Sequence, residues 1–290
     1  NLANMKRHLF FIVYLLVTVS LPSHAQPPKY VYAFDAEAVP VAYTFRDLSH
    51  SEVVDSVRYR ILYEFTAPDA TPEQLRDRMT LDVGMRYANY YSHAERHVDS
   101  LCTAREGVAP NTVNPYSGRE QILIDRTKGR AICCNRTPFA LSTVFVYEDA
   151  EVPEWELTHL RDTIAGYSCH AAETTFRGRR WRAWFSTEIP IGLGPWKLRG
   201  LPGLILGAED AEGMFRWRCV GVTRSRAAIR RYDWPRVRIT RDKWRMMERN
   251  IFKNPCAYAA SLNIMLRRYV DDRSEPVEAA EIPWHPLELE

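Results

Sequence analysis

Alternating apolar and polar positions predict a strand early in the body of the chain. From Val57 to Phe65 every second residue is aliphatic or aromatic, and Arg58, Arg60 and Glu64 occupy positions between them. A repeat of two is the repeat of a strand with one buried face. The pattern therefore predicts a half-buried β-strand over this stretch.

Shorter runs rich in β-branched and aromatic residues predict many more strands. Two pairs of runs are separated by glycine-containing connections and predict hairpins: 165–176 with 180–186, and 204–208 with 214–222. The other predicted strands are 79–83, 86–91, 121–125, 130–134, 143–147 and 237–239. So many short runs predict a mainly β fold with a few short helices, built as a curved antiparallel sheet or open half-barrel.

Two segments have helical spacing instead. The first, residues 92–105, begins at Ser92. The second, residues 240–252, begins at Thr240 and places Trp244, Met247 and Ile251 on one stripe. Serine and threonine are preferred N-caps, so both segments are predicted helices. The acidic, proline-containing segment from Asp271 onward is expected to be peripheral.

The first residues have the pattern of a secretory signal. Lys6 and Arg7 follow Met5, the run from Leu9 to Leu21 is apolar, and small residues precede Gln26. The apolar run is shorter than the roughly 20 residues that a bilayer-spanning helix needs. We therefore expect residues 5–25 to be a cleaved signal peptide and residues 26–290 to form a single exported domain, periplasmic or on the cell surface, with no further transmembrane segment.

The cysteine content is consistent with export. The six cysteines are Cys102, Cys133, Cys134, Cys169, Cys219 and Cys256. An even number in an exported domain leads us to expect at least one disulfide, although the sequence does not choose the pairing.

Charge is distributed unevenly along a nearly neutral chain. Residues 176–250 have a net charge of +11, whereas the rest of the predicted mature domain has a net charge of −10. Either the two parts neutralise each other in the fold, or the basic part forms a surface for an anionic partner. An exported protein is not expected to bind nucleic acid.

The densest motif is a turn followed by a strand. Gly200, Leu201, Pro202, Gly203, Leu204 and Ile205 spell GLPGLI. Proline and glycine suit the central positions of a type II turn, in which Gly203 would have a positive φ. Upstream, the stretches 164–169, 176–179, 183–185 and 188–190 complete a motif-dense core over 155–222.

This motif order resembles the GLPGLI family of secreted proteins, which is typical of the Bacteroidota. The resemblance implies a signal-bearing, β-rich, exported protein whose biochemical role is not established. It also suggests a distant likeness to half-barrel lipoprotein carriers. The motif residues are glycine, proline and apolar residues, which are expected to be structural.

Candidate chemistry is sparse. The sequence contains no nucleophile elbow and no phosphate-binding glycine loop, and we predict no catalytic residue, metal or cofactor. His93 with His97, and His159 with Asp162 and His170, are expected to be ordinary surface residues. The tryptophans near the motif are either core or the lining of a groove for an apolar or sugar ligand: Trp181, Trp184, Trp196 and Trp217.

Three Asp-Ser/Thr-apolar tripeptides resemble the O-glycosylation acceptor of exported proteins in this bacterial group. They place candidate modification sites at Ser56, Ser100 and Thr163.

Three hypotheses for function follow. The first is a non-enzymatic binding or carrier module for an apolar or glycan ligand, which predicts a large apolar concavity ringed by tryptophan. The second is an envelope interaction protein that docks on an outer-membrane uptake system through its basic half, which predicts a filled core and a flat basic patch. The third is a hydrolase, which needs at least three ionisable groups converging in one cleft.

Overall fold

The structure is a computed structural model that describes residues 30–34, 46–68, 78–104, 120–139, 143–270, 273–277 and 283–290. The predicted signal segment 5–25 and its cleavage site lie outside these ranges.

The described residues form seventeen strands and three helices. The helices are α1 (His93–Ala104), α2 (Arg241–Lys253) and α3 (Pro255–Ser261). The strands are β1 (Tyr30–Phe34), β2 (Ser51–Ser56), β3 (Tyr59–Thr66), β4 (Arg78–Val83), β5 (Tyr87–Ser92), β6 (Glu120–Asp125), β7 (Arg130–Asn135), β8 (Val144–Asp149), β9 (Glu156–Ile164), β10 (Tyr167–Phe176), β11 (Arg179–Ser186), β12 (Leu204–Asp210), β13 (Arg216–Arg224), β14 (Ala228–Tyr232), β15 (Arg236–Arg238), β16 (Ile264–Val270) and β17 (Arg273–Pro276).

Twelve of these strands form one large sheet in the order β15-β8-β7-β6-β5-β4-β3-β13-β12-β11-β10-β9. All neighbours in it are antiparallel except β15 and β8, and β15 and β9 are the two edges, so the sheet is open. Strand β9 nevertheless approaches β13, because Asp162 Oδ2 lies 3.3 Å from Arg218 Nη1. The prediction of a mainly β fold with a curved, largely antiparallel sheet is confirmed.

One face of the large sheet, here called the inner face, carries the main core. The alternation predicted for β3 is confirmed, because Ile61, Tyr63 and Phe65 are buried on this face while Glu64 is exposed. Helix α2 covers part of the inner face, with the Trp244 ring 5.8 Å from that of Phe145.

Both predicted helices are present with their predicted caps. Ser92 Oγ accepts a hydrogen bond of 3.1 Å from Glu95 N, and Thr240 Oγ1 accepts one of 3.3 Å from Lys243 N. The buried stripe of α2 includes Trp244 and Ile251. Within the described ranges, no helix combines the length and the apolar character needed to cross a bilayer.

The clearest strand that the sequence pattern missed is β9. Six of its nine residues, Leu157 and Leu160 among them, are exposed, so no apolar–polar alternation marks it. Strand β10 begins at Tyr167 rather than at the predicted Ala165, because Ala165 and Gly166 form the β9–β10 turn with φ of 51° and 86°. Strands β1, β2, β14, β16 and β17 and helix α3 were also not predicted.

The expectation that the segment from Asp271 onward is peripheral is wrong for residues 283–290. Glu288 is only 7% exposed, and Leu287 packs against the main core. Its partners come from elements far away in the chain, which a local pattern does not reveal.

The expected disulfide is absent, since all six cysteines are described and all are free thiols. Cys102 and Cys256 lie in helices α1 and α3, and Cys133 and Cys134 are consecutive on β7. The other two, on β10 and β13, are separated by two intervening strands.

Candidate binding site

The loop between β11 and β12, residues 187–203, folds back over the inner face and is here called the motif loop. Leu204 N donates to Ile189 O at 2.9 Å, and Ile205 N donates to Leu193 O at 2.9 Å. The apolar side chains of the loop are buried: Ile189, Ile191, Leu193, Trp196, Leu198 and Leu201. Because these side chains are buried, the motif loop is part of the protein interior and lies against the inner face of the sheet.

The glycines of the hexapeptide have roles that differ from the predicted type II turn. Gly200, not Gly203, has the positive φ, at +98°. Gly203 is required for a close approach instead, because an added Cβ would lie 2.1 Å from the Ser186 carbonyl oxygen. Gly203 is therefore needed for space and not for its dihedral angle.

Three of the four candidate tryptophans lie together on the inner face. Trp181 is 5.7 Å from Trp196 and 5.7 Å from Trp217 between ring centroids, and each ring is 1% exposed. Trp184 is only partly buried, and the strand alternation places it on the opposite face from Trp181. The four rings therefore do not line one groove, and a ligand-binding role for any of them stays a prediction.

Trp196 connects this aromatic cluster to a group of buried charges. Its Nε1 donates to Glu120 Oε2 at 3.1 Å, and the next residue, Lys197, is 1% exposed. Lys197 Nζ donates to Tyr147 Oη at 2.7 Å and lies 3.2 Å from Asp149 Oδ2.

Two further carboxylates complete the surroundings of the Lys197 ammonium. Glu120 Oε1 lies 3.7 Å away, and Glu288 accepts a direct hydrogen bond from Nζ. Asp149 and Glu288 each have a second cation, since Arg177 Nη2 is 2.7 Å from Asp149 and Arg241 Nη1 is 2.7 Å from Glu288. Among the described residues, Lys197 is thus the main counter-charge of Glu120.

Burial sets the protonation of this group. Burial by itself lowers the pKa of Lys197, but the neighbouring Cys133, Glu120, Glu288 and Asp149 outweigh burial and raise it, so the amine stays cationic. Burial raises the pKa of Glu120 despite the nearby lysine. Burial also raises the pKa values of the Cys133 thiol and the Tyr147 phenol, which keeps both protonated at neutral pH.

A cavity of about 110 Å³ adjoins the charged group on the inner face. The sheet, the motif loop, α2 and residues 285–288 form its walls. Six of the lining residues are aromatic: Phe65, Tyr90, Tyr147, Trp196, Phe215 and Trp244. Asn135 and the carboxylates of Glu120, Glu248 and Glu288 supply polar groups. The cavity is much smaller than the concavity that a carrier is expected to have, because the motif loop and residues 285–288 fill most of the inner face.

The chemistry of this arrangement favours binding. Three ionisable groups do converge, as the hydrolase hypothesis requires, but Glu120 already accepts bonds from Trp196 and Tyr147. The thiol and the amine are both held in their non-nucleophilic, protonated forms. The groups can orient a polar atom of a ligand without any change of their own state.

The histidine candidates remain apart from this site. His93, His97 and His159 are exposed, and His170 lies against Arg161 at 2.5 Å. In the part of the chain that the structure describes, no group of three or more His, Cys, Asp or Glu side chains is arranged to hold a metal ion.

The three candidate glycosylation residues are accessible. Ser56 ends β2, Ser100 lies on α1 and Thr163 lies on β9, and all three are exposed. Modification at these sites stays a prediction.

The sequence analysis missed Lys197, Glu120, Tyr147 and Glu288. One signal was present, because Lys197 lies between the apolar residues Trp196 and Leu198, and a buried lysine needs acidic partners. Its partners were not recognisable, since they lie on β6, β8 and the 283–290 segment.

Comparison with known proteins gives one family match. Residues 174–207 match the model of a family described as "Protein of unknown function (Porph_ging)". The matched stretch contains the end of β10, β11 and the motif loop with Lys197, and it is well under half of the chain. It does not confirm the resemblance to the GLPGLI family.

Among solved structures, two crystal forms of PNGF-II are similar to this chain. The P21 form has a TM-score of 0.49 and 13% sequence identity, with 66% of this chain and 33% of that chain covered. The C2 form has a TM-score of 0.48 and 14% identity, with 66% and 32% covered. The chain thus spans about a third of the length of PNGF-II. No curated protein matches the chain.

Proposed function

We propose that the chain is an exported, periplasmic or surface binding module that holds a small apolar or glycan ligand in the cavity of the inner face. The observation that carries this proposal is the lining of the cavity, in which six aromatic side chains surround a few fixed polar groups. Ligand sites in proteins typically combine apolar walls with a small number of orienting polar atoms.

The size of the cavity limits what it accepts as it stands. A volume of about 110 Å³ is somewhat below that of the engineered apolar cavity of about 150 Å³ that binds benzene. One ring or a short aliphatic segment therefore fits. The Asn135 amide and the Glu120 carboxyl group at the wall suit a hydroxyl group, and the aromatic faces suit the apolar face of a sugar ring.

The cavity is tested with benzene as the probe, followed by thermal unfolding. Ala67 lines the cavity, so Ala67→Leu fills part of it, while Ala260→Leu on the exposed side of α3 is a matched control. Benzene at saturating concentration should raise the Tm of the wild type and of the control but not of Ala67→Leu. Native mass spectrometry of protein purified from its own cells then identifies the bound molecule; no shift with benzene and no bound molecule would contradict the proposal.

Export rests on residues 5–25. If the signal is cleaved as proposed, the intact mass of the cell-fractionated protein corresponds to a chain that begins at Gln26. A cytosolic protein that retains residues 5–25 would contradict this part of the proposal.

An envelope interaction protein is the second candidate, and a basic cluster at one end of the sheet supports it. Arg58, Arg86, Arg224 and Arg226 are exposed there, next to Met85, which is 60% exposed. Other basic residues of 176–250 pair with acids, among them Arg177, Lys197 and Arg241. Arg224→Glu with Arg226→Glu should release the protein from an outer-membrane fraction, whereas Lys253→Glu should not.

A further inference from the structure

Residues 283–290, here called the strap, form one wall of the cavity. Their main chain is bound at four points, one of which is Glu290 O, where Arg241 Nη1 donates a hydrogen bond of 2.5 Å. Leu289 N donates to Arg177 O at 2.9 Å, Arg179 Nη2 donates to Pro286 O at 2.9 Å, and Arg245 Nη2 donates to Glu288 O at 3.3 Å. The sheet and helix α2 therefore hold the strap from both sides.

The Glu288 side chain is the buried anchor of the strap. One carboxylate oxygen accepts from Lys197 Nζ, and the other accepts from Arg241 Nη1 at 2.7 Å. Leu287, the preceding residue, packs against the main core, whereas Leu289 is 53% exposed. The binding surface thus recognises an apolar residue, a carboxylate and the intervening main chain.

We propose that Lys197, Arg179, Arg241 and Arg245 form a cleft for an extended acidic peptide segment, which the chain's own strap occupies in this conformation, and that release of the strap opens the cavity. The second half of this inference rests on the proposed binding function. The occupant that the cleft fits is a segment with an apolar residue directly before a glutamate. A partner that offers such a segment would take the place of the strap.

The charges beneath the strap permit its release. When Glu288 leaves, Lys197 keeps Asp149 at 3.2 Å and Glu120 at 3.7 Å, so the ammonium is not left unpaired in the protein interior. Arg241 is partly exposed and regains water. The strap can therefore dissociate without leaving a buried cation unpaired.

The surface that release exposes has the character of a ligand site. Pro286, Leu287 and Glu288 form part of the cavity wall, and Phe215 and Trp244 are among its other lining residues. With the strap away, the cavity of about 110 Å³ loses one of its walls and can admit a ligand larger than one ring.

The cleft is tested with a fluorescein-labelled peptide that has the sequence of residues 283–290. Full-length wild type and Glu288→Gln are compared by fluorescence anisotropy, with Glu290→Gln as the control because its exposed carboxylate has no side-chain partner among the described residues. The peptide should bind Glu288→Gln about tenfold or more tightly than wild type, since the variant's own strap lacks the charge-assisted bonds. The Leu289 amide of that variant should also exchange its hydrogen faster.

A second variant and a second peptide keep the result specific. Arg241→Gln should weaken peptide binding, and a peptide with glutamine in place of its first glutamate should not bind. If the labelled peptide binds none of the chains and Leu289 exchange is unchanged in Glu288→Gln, the cleft is refuted.

Benzene separates the two proposals. If benzene binds but the peptide does not, the strap inference fails and the binding function stands. If the peptide binds but benzene raises no Tm in any variant, the cleft stands and the cavity proposal fails. If the peptide and benzene both bind, but the rate of benzene binding is the same in Glu288→Gln as in wild type, the strap does not control access to the cavity.

Discussion

Replacement of Lys197 by methionine is the most direct test of the charged group on the inner face. Methionine keeps nearly the same length and fills nearly the same volume, so the change removes the charge and leaves little cavity. Asp149 and Glu288 keep Arg177 and Arg241 as partners. Glu120 is the carboxylate that loses its nearest cation.

The size of the effect depends on whether Glu120 stays ionised or becomes protonated in the folded variant. A buried carboxylate without a partner costs about 3–5 kcal/mol, but the folded protein can protonate it instead. Relative to an unfolded pKa of 4.5, protonation costs about 1.4 kcal/mol per pH unit, which is about 3 kcal/mol at pH 7 and under about 1 kcal/mol at pH 5. The lost hydrogen bond from Lys197 Nζ to Tyr147 adds about 1 kcal/mol.

The sign of the pH dependence is fixed by the direction of the shift. The pKa of Glu120 is raised by burial in the folded state, so this group costs stability as pH rises above its unfolded pKa and the cost disappears as pH falls. Without Lys197 the folded pKa rises further. Lys197→Met should therefore lose about 2–4 kcal/mol at pH 7 and clearly less at pH 5.

Urea unfolding monitored by tryptophan fluorescence measures both values. Lys243→Met on the exposed side of α2 is the control and should change stability by less than about 0.5 kcal/mol. A loss below about 1 kcal/mol at pH 7, or an equal loss at both pH values, would refute the assigned roles of Lys197 and Glu120.

Three further predictions use the same unfolding assay or a thiol titration. Gly203→Ala should cost more than about 2 kcal/mol because its methyl group would overlap the Ser186 carbonyl, whereas Gly221→Ala, which has open space, should change little; equal effects would contradict the close approach. Tyr63→Phe should cost about 1–2 kcal/mol, since the buried hydroxyl donates to Ile205 O at 2.7 Å, and no loss would mean that this bond is not formed. Without reductant, the denatured protein should titrate six thiols, and a smaller number would show a disulfide that the fold does not contain.

The cavity and the charged group show why the functional site was harder to predict than the fold. Trp196 was recognised because aromatic residues near the motif stand out in composition. Lys197, its neighbour, has meaning only when Glu120 and Glu288 are placed beside it, and these residues are separated from it by 77 and 91 positions in the chain. No local sequence pattern predicts that these distant residues come into contact.

The position of segment 283–290 was also not predictable from local sequence. Its acidic and proline-rich composition is typical of an exposed end, and by composition alone it was expected to be peripheral. The structure buries Glu288 because Lys197 and Arg241 supply two cations at one point. Whether a carboxylate is surface or core thus depends on its partners and not on its own sequence context.

The sequence by itself determined the class of fold, the main hairpins and the caps of α1 and α2. These features depend on interactions between residues close in the chain: alternation across a strand, a side chain that accepts from the backbone three residues away, and glycine at a turn. Tertiary structure alone decided the strand order, the free state of the cysteines and the position of Gly203 against Ser186. It also decided the enclosure of Lys197, because burial and the pairing of charges depend on which distant segments pack together.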